Sequence, residues 1–408
     1  MCGVGLWSLQ FEHVKRYRTL FIFAGLMLGA VTLYLILVPF PIWTLLPGHG
    51  LIEQIDSAAG IKDAHRTIAI NPVAGFDTLL WFFTPAAVLI LGAQLNSKER
   101  DLLLPIIIGL VVLSGFIGLA QSLGSSSGSL YFYQVTNHGS PVGLFANRNH
   151  QAITLAMAFP MLIVFAQRSV GQSNNVRRWI AFSIGLFVVP LLLVTGSRAG
   201  VFAGIFGVAA AAVIYRRPKS EATKNRTFST QSWQTIFVFV IILGLGAVTN
   251  LFSRAAAIDR IFNDSEQESR LAFWKPVAAM AQHYMPTGTG PGGFADSYRT
   301  IEPLSLLDFT YLNRAHNDWL EIFTEFGLIG ATLMFAVVSW VTALGIKAFI
   351  DHRKGQSDLY ACLGFVIIVI LCIGSITDYP LRTPSIAAVA VLAAIWLSSR
   401  APPQKYVS

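Results

Sequence analysis

The sequence predicts an all-α integral membrane protein, a polytopic bundle of about ten helices. Three observations predict it. Hydrophobic residues make up 54% of the 408-residue chain and charged residues only 12%, about half the roughly 25% charged share of soluble domains. Apolar stretches able to cross a bilayer, about 17–25 residues each, recur from end to end. Basic residues gather in alternate connectors, the asymmetry that orients membrane proteins.

The apolar stretches fall at 18–44, 76–95, 102–121, 150–167, 179–195, 199–215, 233–250, 318–346, 359–376 and 384–398. Only short polar segments and one long loop separate them, so residues 1–408 read as a single membrane domain. Threading from a cytoplasmic N-terminus puts "HVKRYR", "NSKER", "QRSVGQSNNVRR", "RRPKSEATKNR", "KAFIDHRKG" and "SSRAPPQK" on one side. About 18 of the 29 Lys and Arg then lie in these short loops, and both termini are expected in the cytoplasm. The same rule accounts for the net charge of +8 without any nucleic-acid partner. The run after Arg18 is too long for a signal-peptide core and lacks a small-residue cleavage site, so it is expected to stay as the first span. Cys2, Cys362 and Cys372 have no metal or redox spacing and read as packing residues.

The opposite, outward side receives loops 45–75 and 122–149, a turn at Ser197–Arg198, the long loop 251–317 and "TDYPLRTP". Arg148 in "FANRNH", Arg198 in "TGSRAG", Arg270 in "ESRLAFW", and Arg314 with His316 in "NRAHND" stand there at helix ends, where the orientation rule least expects cations. A single such arginine can cap carbonyls or reach lipid headgroups. Four together suit a phosphate or pyrophosphate, because each planar guanidinium presents five donors to its oxygens.

His316 is the candidate base. Neutral imidazole can take the proton of a sugar hydroxyl as that oxygen attacks an electrophilic carbon; the structural alternative is a helix-end hydrogen bond. If the segment after it is helical, Asn317, Glu321 and Glu325 recur every four residues and share one stripe entering the membrane. Carboxylates inside a span need partners. Pairing with the outward arginines is the favoured role for Glu321 and Glu325, and binding acceptor hydroxyls is the alternative.

Three further features carry less. "GTGPGGF" (288–294) satisfies G-x-G-x-x-G but follows no predicted strand, so it reads as a tight turn offering N–H groups to a ligand or as a loop folding over the cavity. "NDSEQE" (263–268) offers carboxylates, yet a solvated run explains it more simply and no metal is expected. The spacings Gly25 to Gly29 and Gly200 to Gly204 allow close helix contact.

"HNDWLEIFTEFGLIG" fits the pattern His-Asn, nine residues, Gly-x-x-Gly, closed by Gly327 and Gly330, and resembles the O-antigen ligases. "GLFANRNHQA", "TGSRAG" and "SRLAFWKPVAAMAQHYMPTGTGPGGF" follow that family's order, so the resemblance spans most of residues 140–335. It implies a C-type glycosyltransferase, needing neither metal nor cofactor, in the bacterial inner membrane with its active site at the periplasmic face. The expected donor is a glycan on undecaprenyl pyrophosphate and the expected acceptor a sugar of the lipid A core; polymerases of the superfamily use a second lipid-linked glycan instead. His316 matches the family's base, Arg198 and Arg270 its pyrophosphate arginines, and Arg148 and Arg314 match less closely. Family ligases often show about twelve spans, which sets the expected range at ten to twelve. A polytopic transporter is the reading from another class; it would need polar residues at mid-membrane on broken or repeated helices.

Overall fold

The computed structural model describes residues 2–62, 64–125, 128–168, 174–215, 265–307, 312–356 and 358–399. Helices dominate: α1 (Cys2–Ser8), α2 (Phe11–Arg16), α3 (Arg18–Tyr34), α4 (Phe40–Trp43), α5 (Gly50–Ala58), α6 (Pro72–Trp81), α7 (Phe83–Gln94), α8 (Ser97–Leu123), α9 (Arg148–Gln167), α10 (Asn174–Val194), α11 (Arg198–Ile214), α12 (Ser265–His283), α13 (Phe294–Arg299), α14 (Asp318–Arg353), α15 (Leu359–Gly374) and α16 (Pro384–Leu397). Among the described residues the only strands are β1 (Leu37–Val38) and β2 (Arg66–Thr67), paired antiparallel. Among the described residues five helical stretches are long and apolar enough to cross a membrane: Pro72–Gln94, Ser97–Leu123, Arg148–Gln167, Val176–Val194 and Asp318–Arg353. The chain is an all-α polytopic membrane protein.

Nine of the ten apolar stretches fall on these helices. The tenth, 233–250, lies outside the described residues, as do the linker 218–232 and the first two residues of "NDSEQE". The first stretch is corrected. Its helix stops at Tyr34 rather than at 44, because Pro39 and Pro41 cannot donate to a helical ladder and the residue before a proline is driven out of the helical region. Leu37 and Val38 turn instead into β1, opposite Thr67 and Arg66. The long loop 251–317 is partly helical where described, carrying α12, α13 and a turn at Leu304–Leu306.

The helices form two compact units. The first comprises residues 1–94, 266–347 and 375–398. Tyr17, Leu20, Leu89, Ala93 and Ile395 make one of its cores; Val277, Met280, Tyr284, Phe294, Tyr298 and Ala315 make another, under α12 and α13. The second unit, residues 95–265 and 348–374 with the C-terminus, is built around α9, whose side chains are nearly all buried. There a Cβ on Gly200 would lie 2.3 Å from Ala152 Cβ and one on Gly204 2.4 Å from Leu192 Cδ2, so this pair of glycines serves close packing. Gly25 and Gly29 have nothing within 4 Å of such a Cβ. Among the described residues no helix packs close against this pair.

In the first unit, α14 is broken. Gly327 sits at φ 51, ψ −133, a conformation open to glycine alone. The glycine loop 287–293 fits the gap. Thr289 and Gly290 N–H donate to the carbonyls of Thr324 (3.0 Å) and Glu325 (2.8 Å), and Leu328 N–H donates to Pro286 O (2.9 Å). The Tyr34 hydroxyl donates to Phe326 O at 3.0 Å and also to Thr287 O. Carbonyls freed by the break are thus taken by protein donors, as non-helical backbone at membrane depth requires. Gly330 belongs to the same device, since a Cβ there would lie 2.7 Å from Phe326 Cβ and 2.8 Å from Ile322 O.

A Cβ on Gly327 would fall 2.1 Å from Pro286 O. Gly327→Ala is therefore expected to cost at least about 1–3 kcal/mol from backbone strain, read as earlier thermal unfolding in detergent. Gly25→Ala, in open space, is the control and should leave the transition in place or raise it slightly.

Candidate active site

α14 begins with Asn317 as its N-cap: the side-chain Oδ1 accepts from Leu320 N–H at 3.0 Å and the carbonyl from Glu321 N–H at 3.0 Å. This satisfies donors a helix start leaves open. His316, immediately before the cap, holds φ 48, an uncommon left-handed conformation for a non-glycine residue. It turns the ring toward loop 375–382. Nδ1 lies 3.5 Å from Asp378 Oδ1, and the ring sits 5.1 Å from that of Tyr379, tilted by 56°. The imidazole keeps 21% of its surface exposed while Asp378 is buried.

Below it, Glu321 and Glu325 are fully buried on one face of α14. Arg314 Nη1 donates to Glu321 Oε1 at 2.9 Å and lies 4.0 Å from Glu325 Oε1. Arg382 Nη2 donates to Glu325 Oε2 at 2.8 Å and lies 3.1 Å from Glu321 Oε1. Backbone completes the set: Ala315 N–H donates to Glu321 Oε2 (2.9 Å) and Gly292 N–H to Glu325 Oε1 (3.0 Å). Burial opposes the charge on Arg382, yet the carboxylates of Glu325 and Glu321 more than offset it and raise the pKa above the usual guanidinium value. Two partly exposed cations and two fully buried anions form one quartet, in which both glutamates pair with arginine. Within "GTGPGGF" the N–H groups of Thr289 and Gly290 serve the α14 backbone and that of Gly292 serves the Glu325 side chain.

Arg382 and Asp378 ride on one short connector, and a second contact fixes it. Asp318 N–H donates to Ser375 O (3.0 Å) and Asp378 O (3.3 Å), while the Ser375 hydroxyl donates to Asp318 Oδ2 (2.8 Å). Asp378 is thereby held between two clamps, facing His316. The sequence reading passed over Asp318, Asp378 and Arg382, although "TDYPLRTP" already lay on the outward side and its arginine met the criterion that singled out the others.

The other arginines lie elsewhere. Arg148 and Arg198 are the first residues of α9 and α11 in the second unit, where the helices run side by side in the same direction: Gly200 faces Ala152, and Gly207 faces Ala156 and Pro160. Asn147 and Ser197 cap them, accepting from Asn149 N–H (2.8 Å) and Gly200 N–H (3.1 Å). Cations at helix N-termini oppose the helix dipole. An anion would be favoured by both the dipole and the side chain. Arg270 lies in α12, and its side chain falls outside those described.

No curated protein matches the chain. Residues 184–335 match the family model described as O-antigen ligase, a stretch that carries Arg198, the glycine loop, His316 and the broken helix but stops before Asp378 and Arg382. Over that stretch, a little over a third of the chain, the protein is similar to the O-antigen ligase family.

Proposed function

We propose that the protein transfers a glycan from undecaprenyl pyrophosphate to a sugar hydroxyl of the lipid A core, at the periplasmic face of the bacterial inner membrane. The observation that carries the reading is His316 against Asp378, because a carboxylate at Nδ1 fixes the ring and leaves Nε2 for the acceptor. At 3.5 Å the two groups are within ion-pair distance while Nδ1 makes no hydrogen bond; catalytic hydrogen bonds often tighten only when substrate binds. The acceptor oxygen attacks the anomeric carbon, its proton passes to His316 Nε2, and the bond from that carbon to the pyrophosphate oxygen breaks, the electron pair leaving with the lipid pyrophosphate. One direct displacement inverts the anomeric centre.

Charge growing on the leaving group is met by fixed cations, which do this work without a metal. Arg198 and Arg270 take that part, supported by Arg148. Arg314, engaged by Glu321, holds the stripe beneath His316. A polymerase would use the same site with a second lipid-linked glycan as acceptor. A broken span is also what a carrier would present, but the carbonyls freed at this break are consumed by protein donors rather than offered to a solute.

The test is transfer by purified, reconstituted protein from a lipid-pyrophosphate glycan, with lipid A core and lipid-linked glycan offered as separate acceptors. Product on the core alone is the expected result, falling with Arg198→Ala and with Arg270→Ala. Product only on the lipid-linked glycan would make it a polymerase, and unchanged rates in both variants would remove the arginines from the mechanism.

A further inference from the structure

The connector between α3 and α6, which the sequence divides between the end of the first apolar stretch (18–44) and loop 45–75, folds inside out. His49 and Asp56 point inward, whereas Gln54, Ser57, Lys62 and His65 are exposed. His49 is fully buried, its Nδ1 3.1 Å from Pro47 O and its Nε2 3.1 Å from Ile68 O. Buried Asp56 accepts from Arg66 Nε at 2.6 Å and from its Nη2. The same guanidinium lies 5.9 Å from the ring of Trp43, which is itself buried and donates through Nε1 to Thr67 O at 3.1 Å.

The large aliphatic side chains point outward. Leu45 is 81% exposed, and Ile42, Leu51 and Ile55 about half. Leu51 and Ile55, one turn apart, share a face of α5, with Asp56 turned away. In water, burying Asp56 against a half-buried Arg66 while exposing such a stripe inverts the usual order; against hydrocarbon it is the expected order. The stripe also continues a surface that already faces lipid. Leu33, Ile36 and Leu37 are exposed where the connector leaves α3, and Val73 and Phe76 where it enters α6.

We infer that residues 40–58 lie in the interfacial layer of the bilayer, with Ile42, Leu45, Leu51 and Ile55 against lipid acyl chains. The Asp56–Arg66 ion pair and the β1–β2 pairing hold the segment's shape, so that its apolar side can be immersed without exposing backbone polar groups. The connector is also fastened to the glycine loop. Ile70 N–H donates to Thr289 O at 3.0 Å, and Gly48, at φ 80, is pressed against the Tyr284 ring. The wall beside the broken helix therefore stands at lipid depth, whatever reaction the site performs.

Nitroxide accessibility tests this in the full chain, reconstituted in phospholipid vesicles with Cys2, Cys362 and Cys372 replaced by alanine. Labels are placed at Leu45→Cys, Leu51→Cys and Ile55→Cys, with Leu26→Cys on the exposed face of α3 as the lipid reference and Lys62→Cys as the aqueous one. The expected result is collision with oxygen severalfold above collision with a water-soluble nickel chelate, as at Leu26. Nickel access equal to that at Lys62 would overturn the inference in favour of an aqueous loop. Exclusion of both probes would overturn it in favour of coverage by protein.

Discussion

Replacing His316 with alanine should lower glycan transfer by about two to four orders of magnitude, the contribution expected of a positioned general base. The loss should appear in kcat, because the proton moves only as the acceptor oxygen attacks. Asp378→Asn should act in the same direction and less strongly, since the carboxylate works only through the imidazole, 3.5 Å away. The two changes should be far from additive: once His316 is gone, Asp378 has little left to orient. Initial rates of the four proteins at saturating acceptor decide it. A wild-type rate in His316→Ala would end its role as base, and strict additivity would separate Asp378 from it.

Arg382→Met should produce the largest loss of stability, about 3–5 kcal/mol, the range for removing one member of a buried ion pair. The cost lies in what stays behind. Glu321 and Glu325 are both fully buried, and Arg314, one-third exposed and 4.0 Å from Glu325, cannot neutralise both. Changing Arg382→Met together with Glu325→Gln removes one charge of each sign and should recover much of the loss. Thermal unfolding in detergent reads both; a double variant no more stable than the single one would show that the connector, not the charge balance, carries the effect.

Much of this was legible in the sequence because membrane helices advertise themselves. Their backbone must be satisfied internally and their lipid-facing side chains must be apolar, so nine stretches could be read from hydrophobicity. Where that logic lapsed, so did the reading: Pro39 and Pro41 cut the first stretch short, and hydrophobicity registers no break at Gly327, because a glycine at φ 51 leaves the pattern around it unchanged. The stripe of Glu321 and Glu325 could be placed from helical spacing alone. Its second cation could not, since Arg382 is 57 residues beyond Glu325 and only the fold brings them together. The glycine loop imitates a nucleotide-binding turn in spacing only, a reading ruled out by the lack of a strand before it; its Thr289 and Gly290 N–H groups meet helix carbonyls instead.

The nine residues between Asn317 and Gly327 have a rotational meaning. They make about two and a half helical turns, each residue advancing the helix by about 100°. The break is pinned by the inserted loop and the N-terminal end by Asp318 and the cap, so the segment works as a key cut to a fixed phase. One residue inserted between Asp318 and Phe326 would swing the head by about that angle relative to the pinned end. His316 would then face away from Asp378 while every side chain of the pair remained intact, a failure of indexing with no loss of chemistry.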